Sequence, residues 1–298
     1  DSDVDDVQAL AMLHAYQQRG MVDLLGVVVT SDDSASFSCT DAINTFYGNP
    51  DLPIGFLKKQ ERLRHFSKYT RQVAAKFPHD LTRLEKTTES ALLYRKLLAN
   101  SPDKSVVIVT IGHLTSLMNF LQSPGDSISP LSGQELARKK GKKWLCMGGQ
   151  YPEGKEANFY RPDPASTVYC LDHWTQEVVF CGWEVGNEIK TGGAYLKSKL
   201  PTNNPVYRAY QLYNDFAGRP AWDQVAVLLL DEDASARYFD FVHDGFVSVA
   251  ADGSNVWKAG EKSSGKHHAF VKIKDGVDPD TIARQMDDLV ISLGKKQN

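Results

Sequence analysis

The run LLGVVVT at residues 24–30 is continuous, apolar and rich in β-branched side chains. A second run of this kind, KSVVIVTI, stands at residues 104–111, and shorter ones occupy residues 52–56, 144–147 and 177–181. Strands that are apolar at every position, rather than at alternate positions, are typical of a parallel sheet covered on both faces. These runs therefore predict the buried strands of one parallel sheet.

Segments with helical spacing separate the apolar runs. Residues 5–18 carry apolar side chains at helical spacing behind an aspartate-rich start, and Gly20 follows their end. The alternation of strand and helix over about 230 residues predicts an α/β fold. We expect a single domain with a mainly parallel central sheet flanked by helices. Further helices are predicted at residues 39–47, 88–99, 115–121, 164–171, 223–230 and 278–293.

The two ends of the chain differ from this pattern. Two β-rich runs, at residues 246–249 and 269–273, predict a small antiparallel appendage within residues 238–275 of the single 298-residue domain. At the other end, Asp1 is not a Met, and no strand stands before the aspartate-rich helix start. We expect a leader, a first strand or both upstream of Asp1. A cytoplasmic location and export after loss of a leader both remain open.

Composition excludes several classes of protein. The chain has 34 Lys and Arg against 37 Asp and Glu, a net charge of -3, which gives no electrostatic basis for binding nucleic acid or an anionic membrane. No apolar run approaches the roughly 18 residues of a membrane span. The cysteines show no CxxC spacing, so we predict buried free thiols rather than a zinc site or a disulfide framework at Cys39, Cys146, Cys170 and Cys181.

Carboxylates follow the predicted strands, where parallel sheets bind ligands. Four aspartates crowd into the first six residues, and their mutual repulsion favours a bound cation. Carboxylate and carbonyl oxygens without a His or Cys cluster favour Ca²⁺ or Mg²⁺ over zinc, and an irregular ligand set favours Ca²⁺. A solvated acidic helix start that only complements the helix dipole is the alternative. The carboxylates are Asp1, Asp3, Asp5, Asp6, Asp32, Asp33, Glu156 and Asp223.

Ordered motifs resemble one enzyme family. DSDVDDVQAL at residues 1–10 resembles the aspartate-rich N-terminal signature of the nucleoside hydrolases, and Asp33 stands where that family often has Asn. TIGHLTS at residues 110–116 resembles the family's TGPLTN turn. MGG at residues 147–149 resembles a separate MGG motif of the family. EANF at residues 156–159, followed by DPA, resembles the family's EFN…DPEA stretch, and WDQVA at residues 222–226 stands where the family has an aromatic residue or His followed by Asp.

The resemblance implies water-driven cleavage of the N-glycosidic bond of a ribonucleoside, with Ca²⁺ at the carboxyl rim of the sheet. It implies a small-molecule nucleoside as partner, no nucleic acid, no membrane, and a homo-oligomer, either a dimer or a tetramer. By position, the metal ligands would be Asp1, Asp6, Asp223 and the backbone carbonyl of Ile111. The substrate-binding residues would be Asp5, Asp33, Glu156 and Asn158.

The resemblance leaves the general base open between Asp1, Asp3 and a residue upstream. Trp222 stands where some family members have a His that protonates the leaving base. An indole stacks on a base instead, as in the purine-preferring branch, so we expect purine nucleosides to be cleaved faster than pyrimidine nucleosides. A buried Trp222 without a catalytic role is the alternative.

Two other functions compete with hydrolysis of nucleosides. Asp3 in place of the family's Gly and Asp33 in place of its Asn keep open a catalytically silent nucleoside or sugar binder on the same fold. Asp1-Ser2-Asp3 also resembles the D-x-D motif of aspartate-dependent phosphatases, although the Lys and Thr/Ser motifs of that class have no counterpart here. Assays on nucleosides and phosphate esters separate the three functions. A hydrolase releases the free base, a phosphatase releases phosphate, and a silent binder shows only a shift in melting temperature.

Overall fold

Helices and strands alternate along most of the chain in a computed structural model that describes residues 3–58 and 65–293. The helices are α1 (Val4–Gln18), α2 (Ser36–Phe46), α3 (Thr70–Lys76), α4 (Ser90–Ala99), α5 (Thr115–Leu121), α6 (Gly133–Lys140), α7 (Ala157–Tyr160), α8 (Pro164–His173), α9 (Trp183–Glu188), α10 (Ala194–Lys199), α11 (Pro205–Asn214), α12 (Trp222–Leu228), α13 (Glu232–Tyr238) and α14 (Pro279–Leu293). The strands are β1 (Val27–Val29), β2 (Ile54–Phe56), β3 (Thr88–Glu89), β4 (Val106–Thr110), β5 (Gly141–Met147), β6 (Glu153–Gly154), β7 (Glu177–Cys181), β8 (Lys190–Thr191), β9 (Arg219–Pro220), β10 (Phe239–Val242), β11 (Gly245–Val249), β12 (Asn255–Ala259) and β13 (His267–Ile273).

Two parallel blocks make up the centre of the fold. Strands β4, β5, β7 and β13 are parallel neighbours, and β10 closes their outer edge antiparallel to β13. Strands β1, β2 and β3 form a separate parallel block. The α/β fold class with a mainly parallel central sheet is therefore confirmed.

The C-terminal β-rich segment divides between two sheets. Strands β11 and β12 pair antiparallel and continue onto β6, which gives a small antiparallel sheet. Strand β13, by contrast, lies in the central sheet beside β7. Ala269, Phe270 and Val271 of this strand are buried, and a strand that is apolar on both faces belongs inside a sheet rather than in an appendage.

Helix α1 is the central helix of the site. Its buried residues lie on nearly every side, among them Val4, Val7, Ala11 and Met12, because α2, α11, α12 and α14 all pack against it. Asp3 caps its first turn by accepting a hydrogen bond from the backbone N–H of Val4 at 2.6 Å. Packing of α1 against α12 brings the first turns of the two helices together, which positions the site described below.

The four cysteines are buried and free, as the sequence predicts. Among the described helices, none has both the length and the apolar character that a membrane span requires.

Candidate active site

Three carboxylates meet where α1 and α12 begin. Asp5 and Asp6 lie in the first turn of α1, and Asp223 lies in the first turn of α12. One carboxylate oxygen of each lies within 4.8 Å of the others. Helix N-termini favour negative charge, but three carboxylates at this spacing also repel one another.

Burial makes that repulsion strong. Loss of solvent raises the pKa of Asp5 well above its usual range, and the charges of Asp3 and Asp6 raise it further. Burial and the charge of Asp5 raise the pKa of Asp223 in the same way, and burial is also the main cause of the raised pKa of Asp6. The cluster therefore favours a proton or a cation among its oxygens.

The donor set fits a divalent hard cation. Two oxygens bound to one Ca²⁺ at about 2.3–2.6 Å each lie at most about 5 Å apart, and the spacing of Asp5, Asp6 and Asp223 meets that limit. Ile111 directly follows β4 and lines the same cavity as Asp6. Asp5, predicted from the resemblance to bind ribose, thus lies within the carboxylate cluster itself.

Asp3 has a different environment from the other acids. Its carboxylate forms an ion pair with the guanidinium of Arg219. The hydroxyl of Tyr69 donates to the Asp3 carbonyl at 2.7 Å. Asp1, the other candidate base, lies outside the described residues. The described candidate base is therefore already compensated by a cation of this chain.

Sequence reasoning missed Arg219. It lies on the two-residue strand β9, and its guanidinium stacks over the ring of Trp222 at 4.9 Å and that of Tyr213 at 5.6 Å. Its partner Asp3 is 216 residues away in the chain. No local sequence pattern predicts a pair so far apart in the chain. The only signal in the sequence is that Arg219 lies three residues before Trp222.

The indole of Trp222 is fixed in orientation. Its Nε1–H donates to the backbone carbonyl of Trp183 at 3.0 Å, and one face of the ring carries Arg219. A Cβ added at Gly186 would lie 2.4 Å from the ring, so only glycine fits beneath it. Trp183 is 40% exposed, which leaves an aromatic surface beside Trp222.

Glu156 and Asn158 hold the turn that follows β5. The buried carboxylate of Glu156 accepts hydrogen bonds from the backbone N–H of Gly149 at 3.1 Å and of Asn158 at 2.9 Å. Burial raises the pKa of Glu156 to about 7. The side-chain amide of Asn158 lies 3.0 Å from the Met147 sulfur. Both side chains are thus engaged with the MGG turn.

Asp33 lies beyond β1 and is fully buried. Its carboxylate accepts a hydrogen bond from the hydroxyl of Thr70 at 2.7 Å and lies 3.3 Å from Nδ1 of His65. It also accepts from the N–H of Ala35 at 3.2 Å, which closes the turn before α2. A role for Asp33 in binding substrate stays a prediction, as do the roles of Glu156 and Asn158.

Comparison with known proteins gives a result for structure but none for sequence. No family model matches the sequence, and no curated protein matches it. A purine-preferring ribonucleoside hydrolase from Gardnerella vaginalis has a TM-score of 0.70 at 14% identity, over 99% of this chain and 97% of that one. An inosine-uridine preferring nucleoside hydrolase from Bacillus anthracis has a TM-score of 0.68 at 16% identity, over the same shares.

The fold is shared by proteins of another kind. The type III effector protein XopQ, in a structure complexed with adenosine diphosphate ribose, has a TM-score of 0.69 at 13% identity, over 99% of this chain and 92% of that one. At these identities the likeness shows the fold. The resemblance to nucleoside hydrolases is therefore confirmed for the architecture, and the activity is argued below from the site.

Proposed function

We propose that this protein is a Ca²⁺-dependent ribonucleoside hydrolase that releases the free base and ribose. The observation that supports the proposal most is the cluster of Asp5, Asp6 and Asp223, which two helix N-termini hold within 4.8 Å of one another. The nucleoside hydrolase fold supports it independently. A homo-oligomeric state is part of the proposal, and light scattering measures it.

Asp6, Asp223 and the Ile111 carbonyl would hold the cation, with Asp1 as a further ligand and Asp5 on the ribose side. A bound Ca²⁺ would offset the repulsion between the carboxylates and acidify the attacking water. Asp1 or Asp3 would take the proton from that water. The remaining carboxylates would stabilise the positive charge that develops on the sugar as the N-glycosidic bond breaks.

Sugar binding would fall to Asp5, Asp33, Glu156 and Asn158. Glu156 is suited to this role because its pKa of about 7 lets it accept or donate a hydrogen bond to a hydroxyl at neutral pH. Its bonds to Gly149 and Asn158 hold the carboxylate in place before substrate arrives.

Base release from inosine tests the proposal. Asp223→Asn should reduce kcat/KM by at least about 1000-fold, because the cation and the oxocarbenium-like transition state both lose a carboxylate. The exposed Asp240 provides the matched control, and Asp240→Asn should leave kcat/KM unchanged. EDTA should abolish base release by wild type, and Ca²⁺ should restore it. Release of phosphate from phosphate esters, or no release of base, would contradict the proposal.

Trp222 carries the proposed preference for purines. An indole cannot donate a proton to the leaving base. It can stack on that base and stabilise the positive charge that the base gains as the bond breaks. Purine N7 accepts a proton, so inosine should be cleaved faster than uridine. Trp222→Ala should lower kcat for inosine by about 10- to 100-fold, and Trp222→Phe should retain part of the rate. A faster wild-type rate on uridine would contradict the stacking role.

Binding without turnover is the second candidate. The ion pair between Arg219 and Asp3 favours it, because it compensates the one described candidate for the general base. Inosine or adenosine diphosphate ribose would then raise the melting temperature while no base is released. Arg219→Gln separates the two functions, because freeing Asp3 should raise the turnover of a hydrolase and leave a silent binder silent.

A further inference from the structure

A buried group of polar side chains lies one helical turn from the carboxylate cluster. Gln8 follows Asp5 by three residues in α1, so the two lie on one face of that helix. Gln224 directly follows Asp223 in α12. Both glutamines are fully buried. The group, called the amide layer below, consists of Gln8, Thr191, Tyr210, Gln224 and Asp287.

Gln8 joins α1 to three of the helices that pack against it. Its Nε2–H donates to the carboxylate of Asp287 in α14 at 2.8 Å. Its Oε1 accepts from the hydroxyl of Tyr210 in α11 at 2.5 Å and from Nε2 of Gln224 in α12 at 3.5 Å. One buried side chain thus connects the beginning of α1 to α11, α12 and α14.

Gln224 extends the amide layer to β8. Its Nε2 also donates to Oγ1 of Thr191 at 3.0 Å. The backbone N–H of Gly192, which follows β8, donates to the Asp287 carboxylate at 3.4 Å. Four helices and a strand therefore share one connected network of hydrogen bonds around Gln8. Such a network fixes the depth and the rotation at which α1 packs against α12.

The amide layer is an expensive way to fill this space. A buried amide loses its hydration, and its hydrogen bonds offset that loss only in part. In the described part of the chain, Oε1 of Gln224 is buried and has no donor, which adds to the cost. Met or Leu at positions 8 and 224 would avoid this cost. A polar network with such a cost is suited to specify one packing geometry rather than to add stability.

The packing geometry of α1 and α12 sets the distances between the acids of the cluster. Asp5 and Asp6 belong to α1 and Asp223 belongs to α12, so repulsion between their charges pushes the two helices apart. The hydrogen bonds of Gln8 and Gln224 oppose that repulsion one turn away. Ligand spacing matters to a cation, since Ca²⁺ binds oxygens at about 2.3–2.6 Å and Mg²⁺ at about 2.0–2.1 Å.

We propose that Gln8, Gln224 and Asp287 are positioning residues, which hold the first turns of α1 and α12 at the carboxylate spacing that a divalent cation requires. They act through the two helices rather than as ligands. The inference rests on the proposed cation site and does not depend on nucleoside cleavage.

A double-mutant cycle without metal tests the positioning role. Gln8→Met keeps the volume of the side chain and removes its hydrogen bonds. In EDTA, Asp223→Asn should stabilise the wild-type chain, because it relieves repulsion between acids that are held together. In the Gln8→Met background the helices can separate, so the same substitution should stabilise by less than about half as much. Urea unfolding of the four proteins measures it.

Asn44 provides the matched control, because it holds α1 at a distance from the cluster. Its Oδ1 lies 2.9 Å from Nε2 of His14 in a buried pair. His14 follows Asp6 by eight residues, which is about 12 Å along the helix. Asn44→Leu should destabilise the chain through the lost hydrogen bond. It should leave the stabilisation by Asp223→Asn unchanged.

Calcium affinity gives a second readout, measured by calorimetry on the folded proteins. Residues that orient metal ligands typically change the affinity by about 10- to 100-fold, and Gln8→Met should raise the Kd for Ca²⁺ by at least about 5-fold. Asp287→Leu removes the acceptor at the other end of the amide layer and should raise the Kd in the same way. Asp287→Asn keeps an acceptor for Gln8 and should retain the wild-type Kd, as should Asn44→Leu.

Two results would overturn the inference. Equal stabilisation by Asp223→Asn in the wild-type, Gln8→Met and Asp287→Leu backgrounds would show that the amide layer does not hold the helices against repulsion. Equal Kd values for Ca²⁺ in wild type, Gln8→Met and Asp287→Leu would show that the ligand spacing is independent of it. Absence of Ca²⁺ binding by wild type would contradict the proposed cofactor instead, and the cycle in EDTA would still decide the positioning role.

Discussion

Two groups of carboxylates in this protein have opposite electrostatic surroundings. In the cluster of Asp5, Asp6 and Asp223, burial and like charge raise the pKa values of the acids. Asp126, by contrast, receives two hydrogen bonds from the guanidinium of Arg95, at 2.8 and 2.9 Å, which lower its pKa to about 2.

The difference shows which site is complete without a ligand. Arg95 also donates to the hydroxyl of Ser123 and to the carbonyls of Ser129 and Leu131, so the Asp126 site contains its own cation and holds it with several acceptors. Within residues 3–58 and 65–293, no guanidinium forms an ion pair with Asp5, Asp6 or Asp223, and the nearby Arg219 is paired with Asp3. A carboxylate cluster that no described side chain neutralises is the one suited to an external cation.

Removal of Arg95 should have the largest effect on stability. Arg95→Met should lower the free energy of unfolding by at least about 3 kcal/mol, because the buried Ser129 carbonyl, the half-buried Leu131 carbonyl and a carboxylate lose their donor. Urea unfolding at neutral pH measures it. The control is Arg83→Met, which removes an exposed pair with Glu85 at 3.6 Å and should cost less than about 0.5 kcal/mol. Equal losses in both variants would refute the role of the Arg95 site.

Substitution of Asp223 should stabilise the protein or destabilise it according to the metal present. In EDTA, Asp223→Asn should raise the free energy of unfolding by about 1–3 kcal/mol, since it removes one repelling charge. At 100-fold excess over Kd, Ca²⁺ should raise the wild-type melting temperature by about 5–10 °C and that of the variant far less.

Asp126→Asn is the matched comparison for Asp223→Asn. It should lower the melting temperature equally with Ca²⁺ and with EDTA, because Arg95 loses its counter-charge in both. Scanning fluorimetry of both variants in both buffers gives the four values. A Ca²⁺ response of Asp223→Asn equal to that of wild type would place the cation elsewhere.

Asp287 is an intermediate case, because neutral donors rather than a paired guanidinium hold its carboxylate. Its carboxylate accepts from the Gln8 amide at 2.8 Å and from the N–H of Gly192 at 3.4 Å, and burial raises its pKa to about 6. The native carboxyl keeps its proton over a pH range in which the unfolded one, with a pKa of about 4, has lost it. Its contribution to stability is therefore full below about pH 4 and is lost as pH rises through about 6.

Asp287→Asn should remove that pH dependence and keep both hydrogen bonds. Relative to wild type, the variant should gain about 1 kcal/mol between pH 5 and pH 7.5, measured by urea unfolding at each pH. The exposed Asp275 is the control, and Asp275→Asn should show no such gain. A constant difference between Asp287→Asn and wild type across this range would mean that Asp287 is ionised in the native state throughout.

Local sequence pattern determined most of the elements. The helix predicted at residues 115–121 and the strand predicted at residues 177–181 have these bounds in the structure. The helix predicted from residue 5 begins at Val4 and ends at Gln18 as expected. Apolar periodicity and helix-start residues act over a few positions, so one sequence contains the information for them.

Tertiary structure alone decided which side chains meet. It paired Arg219 with Asp3, placed Asp223 beside Asp5 and Asp6, and moved β13 from the expected appendage into the central sheet. It also left the edges of β1 and β4 facing one cavity. These contacts join residues up to 218 positions apart in the sequence, and neither periodicity nor local spacing specifies a partner at such a distance. The sequence alone therefore determined the elements and the acidic character of the site, whereas packing of α1 against α12 decided which acids share a cation and which one the chain neutralises.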